Sequence, residues 1–141
     1  MPTSARRTAL VTGASTGIGE AFARHLGSRG LDLVLTARDE GRLHRLGDEL
    51  ERDHAIRCHV VAADLVHPDS PDAIFERLNN DGIEVDVLVN NAGYALSEDL
   101  IDIEWPKVQD YMQVMATAWL HFIHLFAPPM AERGWGRILN I

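Results

Sequence analysis

The segment Thr12-Gly13-Ala14-Ser15-Thr16-Gly17-Ile18-Gly19 brings three glycines together with hydroxyl side chains. Glycines in such a run let backbone N–H groups approach a pyrophosphate, and a helix starting at the end of the run would aim its positive dipole end at the anion. The chemistry this predicts is dinucleotide binding; a purely structural tight turn is the other reading. About 20 residues beyond such glycines, an NAD site places a carboxylate for the ribose 2′-hydroxyl. This sequence has Ala37 followed by Arg38 there. A planar guanidinium matches a 2′-phosphate, so the pattern predicts NADP(H) in preference to NAD(H). Asp39 and Glu40 follow directly, which leaves a solvated surface arginine as the alternative.

Other reactive residue types form no constellation. His121 and His124 share a helical spacing, but no carboxylate or cysteine stands at ligand spacing, so no metal site is expected. Ser97-Glu98-Asp99 reads as a loop or helix cap. The single cysteine, Cys58, lies in an apolar run and is expected to be a buried thiol in a reducing compartment. Trp105, Trp119 and Trp135 supply packing area.

The elements that must position these residues follow from periodicity. Thr8–Thr12 is an apolar run before the glycines, and Ile18, Phe22, His25 and Leu26 recur at helical spacing as far as Gly30. A second strand spans 31–36; Asp39 caps a helix with a Leu43, Leu46 and Leu50 stripe; a third strand spans 57–63. Ser70 caps a helix that has Pro71 in its first turn and Ile74 and Leu78 on its buried face. A fourth strand spans 85–89 and runs into Asn90-Asn91-Ala92-Gly93. Asp102 then caps a long helix with Pro106 in its first turn, and residues 137–141 begin a fifth strand. Alternating strands and helices predict an α/β fold, a Rossmann-like doubly wound parallel sheet in the order 3-2-1-4-5, truncated after the fifth strand. The chain reads as one NAD(P)-binding domain, residues 1–141, incomplete at its C-terminus.

The spacing Thr-Gly-x-x-x-Gly-x-Gly resembles the signature of the short-chain dehydrogenase/reductase family. So do Ala63-Asp64-Leu65 after the third strand, Asn90-Asn91-Ala92-Gly93 after the fourth, and Gly136-Arg137-Ile138-Leu139-Asn140-Ile141 at the end. The resemblance implies that Gly13, Ser15, Thr16, Gly17, Ile18 and Gly19 cradle the cofactor phosphates and adjoining ribose. It implies that Asp64 accepts from the adenine amino group beside the Leu65 backbone, and that Asn91, Ala92 and Gly93 pack on the ribose side. Local readings stay open: Asp64 can simply end a strand, and Asn91 to Gly93 can be a turn.

Carbonyl-reducing members of the family use a tyrosine as general acid, a lysine four residues later and a serine that orients the carbonyl. No catalytic residue is assigned in this chain. Tyr94 and Tyr111 are followed four positions on by Glu98 and Met115, and the family serine would lie just beyond Ile141. The family also places an asparagine in the long helix, in a segment resembling Val-Asn-Val-Thr; here Val114-Met115-Ala116-Thr117 stands instead. A modified proton pathway and a lineage released from catalysis both fit that departure. The expected function is therefore an NADP(H)-dependent oxidoreductase acting on a carbonyl or alcohol, represented by its cofactor-binding portion. That portion is expected to bind cofactor weakly or not at all and to be inactive alone. The alternative is a non-catalytic nucleotide-binding module or degenerate family member; a methyltransferase fits less well, because of Asn90 to Gly93.

Composition sets outer bounds. With 46% hydrophobic and 24% charged residues, the 141-residue chain has material for a core, and a net charge of −8 spread along it disfavours nucleic acid or an anionic membrane. The apolar stretch at the N-terminus is too short for a signal-peptide core, so a cytoplasmic location is expected. Residues 111–131 contain no Asp, Glu, Lys or Arg, which predicts a helix buried on several sides in preference to a membrane span. A fifth strand left as an edge, beside such a helix, predicts self-association.

Overall fold

The middle strands of the parallel sheet are buried on both faces, as their unbroken apolar runs require, while its last strand is exposed. The computed structural model describes residues 6–141; the reading of the N-terminal start bears mainly on residues 1–5, outside the described residues. In chain order the elements are β1 (Thr8–Thr12), α1 (Gly17–Ser28), β2 (Asp32–Thr36), α2 (Glu40–His54), β3 (Cys58–Val60), α3 (Ser70–Asn80), β4 (Val87–Asn90), α4 (Trp105–Met112), a π-helical turn (Gln113–Thr117), α5 (Ala118–Glu132) and β5 (Arg137–Asn140). The sheet is wholly parallel with the order β3-β2-β1-β4-β5, as expected.

Side-chain alternation sorts the core into two layers. Ala9, Val11, Leu33, Leu35 and Val89 face one side, where they meet Leu43, Leu46 and Leu50 of α2. Leu10, Val34 and Leu88 face the other, where Ile74 and Leu78 of α3 and Phe122, Phe126 and Met130 of α5 cover them. Asp39 caps α2, accepting from the Arg42 N–H at 2.9 Å.

Several local expectations need correction. Ser70 does not cap α3: Asp69 holds the cap position without a side-chain bond, and the Ser70 hydroxyl donates to the Asp64 carbonyl at 2.7 Å. Asp102 does not cap the long helix, which starts at Trp105 after Glu104. The first strand spans Thr8–Thr12 as expected, but the third is shorter than its apolar run, ending at Val60 and not at residue 63, and the fourth starts at Val87 and not at residue 85. The buried residues of α1 are Gly19, Ala23 and Gly27, while Ile18 and His25 are exposed, because small residues let this helix sit close to the sheet. Cys58 is half-buried rather than enclosed.

The long helix is continuous over Trp105–Glu132, 28 residues, and is long and apolar enough by composition to cross a membrane. It is buried along one stripe, Val114, Ala118, Phe122, Phe126 and Met130, and not on several sides; Trp105, Met112 and Leu120 are exposed.

Candidate functional site

The glycine turn links the end of β1 to the start of α1 at the middle of the sheet. Gly13 has φ +64°, and a Cβ there would lie 2.9 Å from both the Ala92 Cα and the Asn91 Nδ2. Gly19 is the point of closest approach: a Cβ would overlap the Gly13 carbonyl oxygen and come within 2.5 Å of Asn91 Nδ2. The turn is therefore packed directly onto the strand end after β4, which leaves room only for glycine. Thr16 holds the N-cap of α1 in extended conformation and makes no side-chain cap bond. The first-turn amides of α1 thus have no side-chain acceptor among the described residues, the arrangement an anionic group can satisfy. Ser15 is half-buried, and Thr16, Gly17 and Ile18 are exposed at the mouth of the turn.

Thr12 ties this turn to β4. Its buried hydroxyl accepts from the backbone N–H groups of Asn91 and Ala92, both at 2.9 Å, and donates to the Val89 carbonyl at 3.3 Å. Asn91 returns the contact, its side-chain amide donating to the carbonyls of Thr12 at 3.0 Å and Gly13 at 3.4 Å. Asn91 and Ala92 are half-buried and Gly93 is exposed.

Beside the turn, the C-terminal ends of β1, β2 and β3 open onto a cleft with about 410 Å³ of empty space. It is lined by Gly13, Ala37, Arg38, Asp64, Leu65, Ala92, Tyr94 and Val114, among others. Ligands in open parallel sheets bind outside these strand ends, at the point where strand order reverses. Asp64 Oδ1 accepts locally from the Val66 N–H at 3.1 Å, so the strand-ending turn is real, while Oδ2 has no protein partner among the described residues. Leu65 is buried beneath it. Arg38 is exposed and makes no ion pair among the described residues. The adjacent carboxylates are engaged elsewhere, Asp39 with Arg42 at 3.4 Å and Glu40 with His44 at 3.6 Å.

Ten of the twelve residues singled out by sequence, Gly13, Arg38, Asp64 and Ala92 among them, lie in the turn or line the cleft, and the short chain dehydrogenase family model matches residues 7–141. The chain belongs to the short-chain dehydrogenase family. It is 34% identical over 139 residues to the very-long-chain 3-oxoacyl-CoA reductase of Anas platyrhynchos, covering 94% of this chain and 44% of that protein. It is 30% identical over 135 residues to an uncharacterized oxidoreductase of Staphylococcus saprophyticus, covering 96% of this chain and 58% of that one. Among solved structures, a short-chain dehydrogenase from Sphingobium yanoikuyae in complex with NADPH matches with a TM-score of 0.89 at 34% identity, covering 95% of this chain and 52% of that chain. L-sorbose reductase from Gluconobacter frateurii, complexed with NADPH and L-sorbose, matches with a TM-score of 0.90 at 32% identity, covering 96% and 51%. The chain thus spans about half the length of the relatives it matches.

Within this short-chain dehydrogenase fold, the residues sequence reasoning missed include Thr12, which ties the glycine turn to the strand end after β4 and was visible only as the first letter of the glycine motif. Tyr94 and Val114 line the cleft from elements distant in sequence, and no local pattern marks them. The Tyr94 phenol is pushed above the ordinary tyrosine range by loss of solvent and by the Asp110 carboxylate, with Arg38 opposing. Met115, where the family resemblance places an amide, lies in the π-helical turn, and its Sδ accepts from the Tyr94 N–H at 3.3 Å.

The remaining candidates stay apart from the cleft. His121 Nε2 meets Asp72 Oδ1 at 3.2 Å, joining α5 to α3, and among the described residues no group of three His, Cys, Asp or Glu side chains forms a metal site. Burial first, then the Glu51, Asp32 and Asp48 carboxylates, push the Cys58 thiol up to about 12, the opposite of what a nucleophilic thiolate requires.

Proposed function

We propose that this chain is the cofactor-binding part of an oxidoreductase that exchanges hydride between NADP(H) and a small carbonyl or alcohol substrate, with NADP(H) favoured over NAD(H). In this reading Gly13, Ser15, Thr16, Gly17, Ile18 and Gly19 hold the pyrophosphate and adjoining ribose. Asp64 and the Leu65 backbone meet the adenine, and Asn91, Ala92 and Gly93 flank the ribose. The observation that carries the NADP(H) preference is Arg38 lining the cleft without an anionic partner among the described residues, its neighbour Asp39 being occupied at the α2 N-terminus. The family's NADPH-bound structures support the class of cofactor.

For these 141 residues the proposal is weak nucleotide binding without turnover, since neither tyrosine has a lysine four positions on. Titration of the chain with NADPH and NADH tests the preference: NADPH is expected to bind more tightly, and equal affinities would remove the role given to Arg38. A second reading, a nucleotide-binding module with no catalysis in any form, is favoured by Met115 at the position where the family resemblance expects an amide. A reading frame that continues into a serine and then Tyr-x-x-x-Lys would reject it.

A further inference from the structure

Tyr94 stands directly after the Asn91-Ala92-Gly93 turn, at the boundary between two hollows. One is the cleft shared with Arg38, Asp64 and Val114; the other is formed with Ser97, Glu98, Lys107 and Asp110. The residue is 43% exposed, so it adds little to the core, yet it is held in place. The backbone N–H is taken by Met115 Sδ at 3.3 Å, and the ring meets Tyr111 edge-on, with centroids 5.5 Å apart and planes at 86°. Met115 Sδ also fills the space beside Gly93, 2.7 Å from where a Cβ would be, which fastens the loop to the π-helical turn. Of the described residues lining the cleft, Tyr94 is the sole aromatic. An exposed aromatic ring held beside a cleft walled by alanine, leucine and valine suits a flat, electron-rich ring, because stacking requires a fixed platform and tolerates solvent on its outer face.

We infer that Tyr94 is a cofactor-binding residue whose ring covers the adenine, with Met115 and Tyr111 as the positioning residues that hold it there. The inference rests on the dinucleotide reading and adds a determinant for the adenine end of the cofactor, complementary to Arg38 at the 2′-phosphate.

The probe is 2′,5′-ADP, whose proposed contacts all lie within this chain, titrated against the 141-residue protein by calorimetry and by NMR of the adenine H2 and H8 protons. The wild-type chain is expected to bind it and to shift those protons upfield, as a stacked ring does. Tyr94→Phe keeps both effects. Tyr94→Ala lowers affinity about fivefold, near the low end of what a stacked base loses on alanine substitution, and removes the upfield shift. Because the side chain is half in solvent, both variants are expected to melt with the wild type. Tyr94→Ala with wild-type affinity and an intact upfield shift overturns the inference while leaving the dinucleotide reading standing. A wild-type chain that does not bind 2′,5′-ADP overturns both.

Discussion

Replacing Thr12 by valine tests whether the β1 to β4 connection organises the site. Valine matches threonine in shape but offers no oxygen, so the N–H groups of Asn91 and Ala92, each 2.9 Å from the hydroxyl, lose their acceptor together, and the Val89 carbonyl loses a donor. An unsatisfied buried donor costs about 1–3 kcal/mol. These donors are only partly buried, so the lower half of that range applies to each and the total is about 2–4 kcal/mol. For a chain between the small and medium size classes, where 1 kcal/mol moves Tm by about 3–4 °C, the expected loss is about 6–16 °C. Thr12→Ser keeps the hydroxyl and removes one methyl group, about 0.8 kcal/mol. Urea unfolding at a single protein concentration is the assay, since association would otherwise contribute to the apparent stability. The order wild type, Thr12→Ser, Thr12→Val is expected, with 2′,5′-ADP affinity falling in parallel because Ala92 and Asn91 shape the cleft. Thr12→Val within about 0.5 kcal/mol of wild type, the scatter of neutral surface changes, would refute the claim that this hydroxyl holds the turn.

Two further outcomes are expected. The Cys58 thiol, pushed up to about 12 from an ordinary value of 9.0, favours the neutral form in the folded chain. Its contribution to stability is present below pH 9 and is lost as the pH rises from 9 toward 12, and Cys58→Ala should flatten that alkaline loss. Reaction with Ellman's reagent at pH 8 should be slow in the native chain and fast in urea; rapid native labelling would contradict the burial argument. The exposed Trp105, Met112 and Leu120 of the long helix and the exposed Ile138, Leu139 and Ile141 at the β5 edge predict self-association, measurable by light scattering. Leu120→Glu should lower the mass if the helix face is used, and a monodisperse wild-type monomer would reject the expectation altogether.

The architecture was legible because a parallel sheet buried on both faces writes continuous apolar runs, and each run here ends at a chemically distinctive turn. Glycine spacing located the β1 to α1 connection for a reason the structure makes concrete: Gly13 and Gly19 sit where a Cβ would strike Asn91 or the turn's own backbone. Cap residues were less legible. Asp39 and Ser70 look alike as candidates, but Asp39 reaches the Arg42 N–H while the Ser70 hydroxyl turns back to Asp64. That choice depends on how the chain leaves β3, which no local pattern records. The face of α1 was legible in part. Of its periodic residues Phe22 and Leu26 pack on the core and Ile18 and His25 are exposed, while the fully buried positions are the small residues Gly19, Ala23 and Gly27.

Met115 shows most clearly how a sequence departure and its structural meaning differ. Read by resemblance, it removes an amide. In the fold it lies in the π-helical turn Gln113–Thr117, where the helix widens, and its sulfur accepts the Tyr94 N–H and packs on Gly93. A thioether is a weak acceptor but a good filler of irregular gaps, so the contact between the long helix and the loop after β4 survives without the amide. Nearby, the buried Gln113 side-chain nitrogen has no hydrogen-bond partner among the described residues, an uncommon cost for a buried polar group, and π turns themselves are frequent near functional sites. The substitution is therefore compatible with an intact cleft. Its chemical consequence falls on whatever proton path an amide would have served, not on the platform proposed for Tyr94.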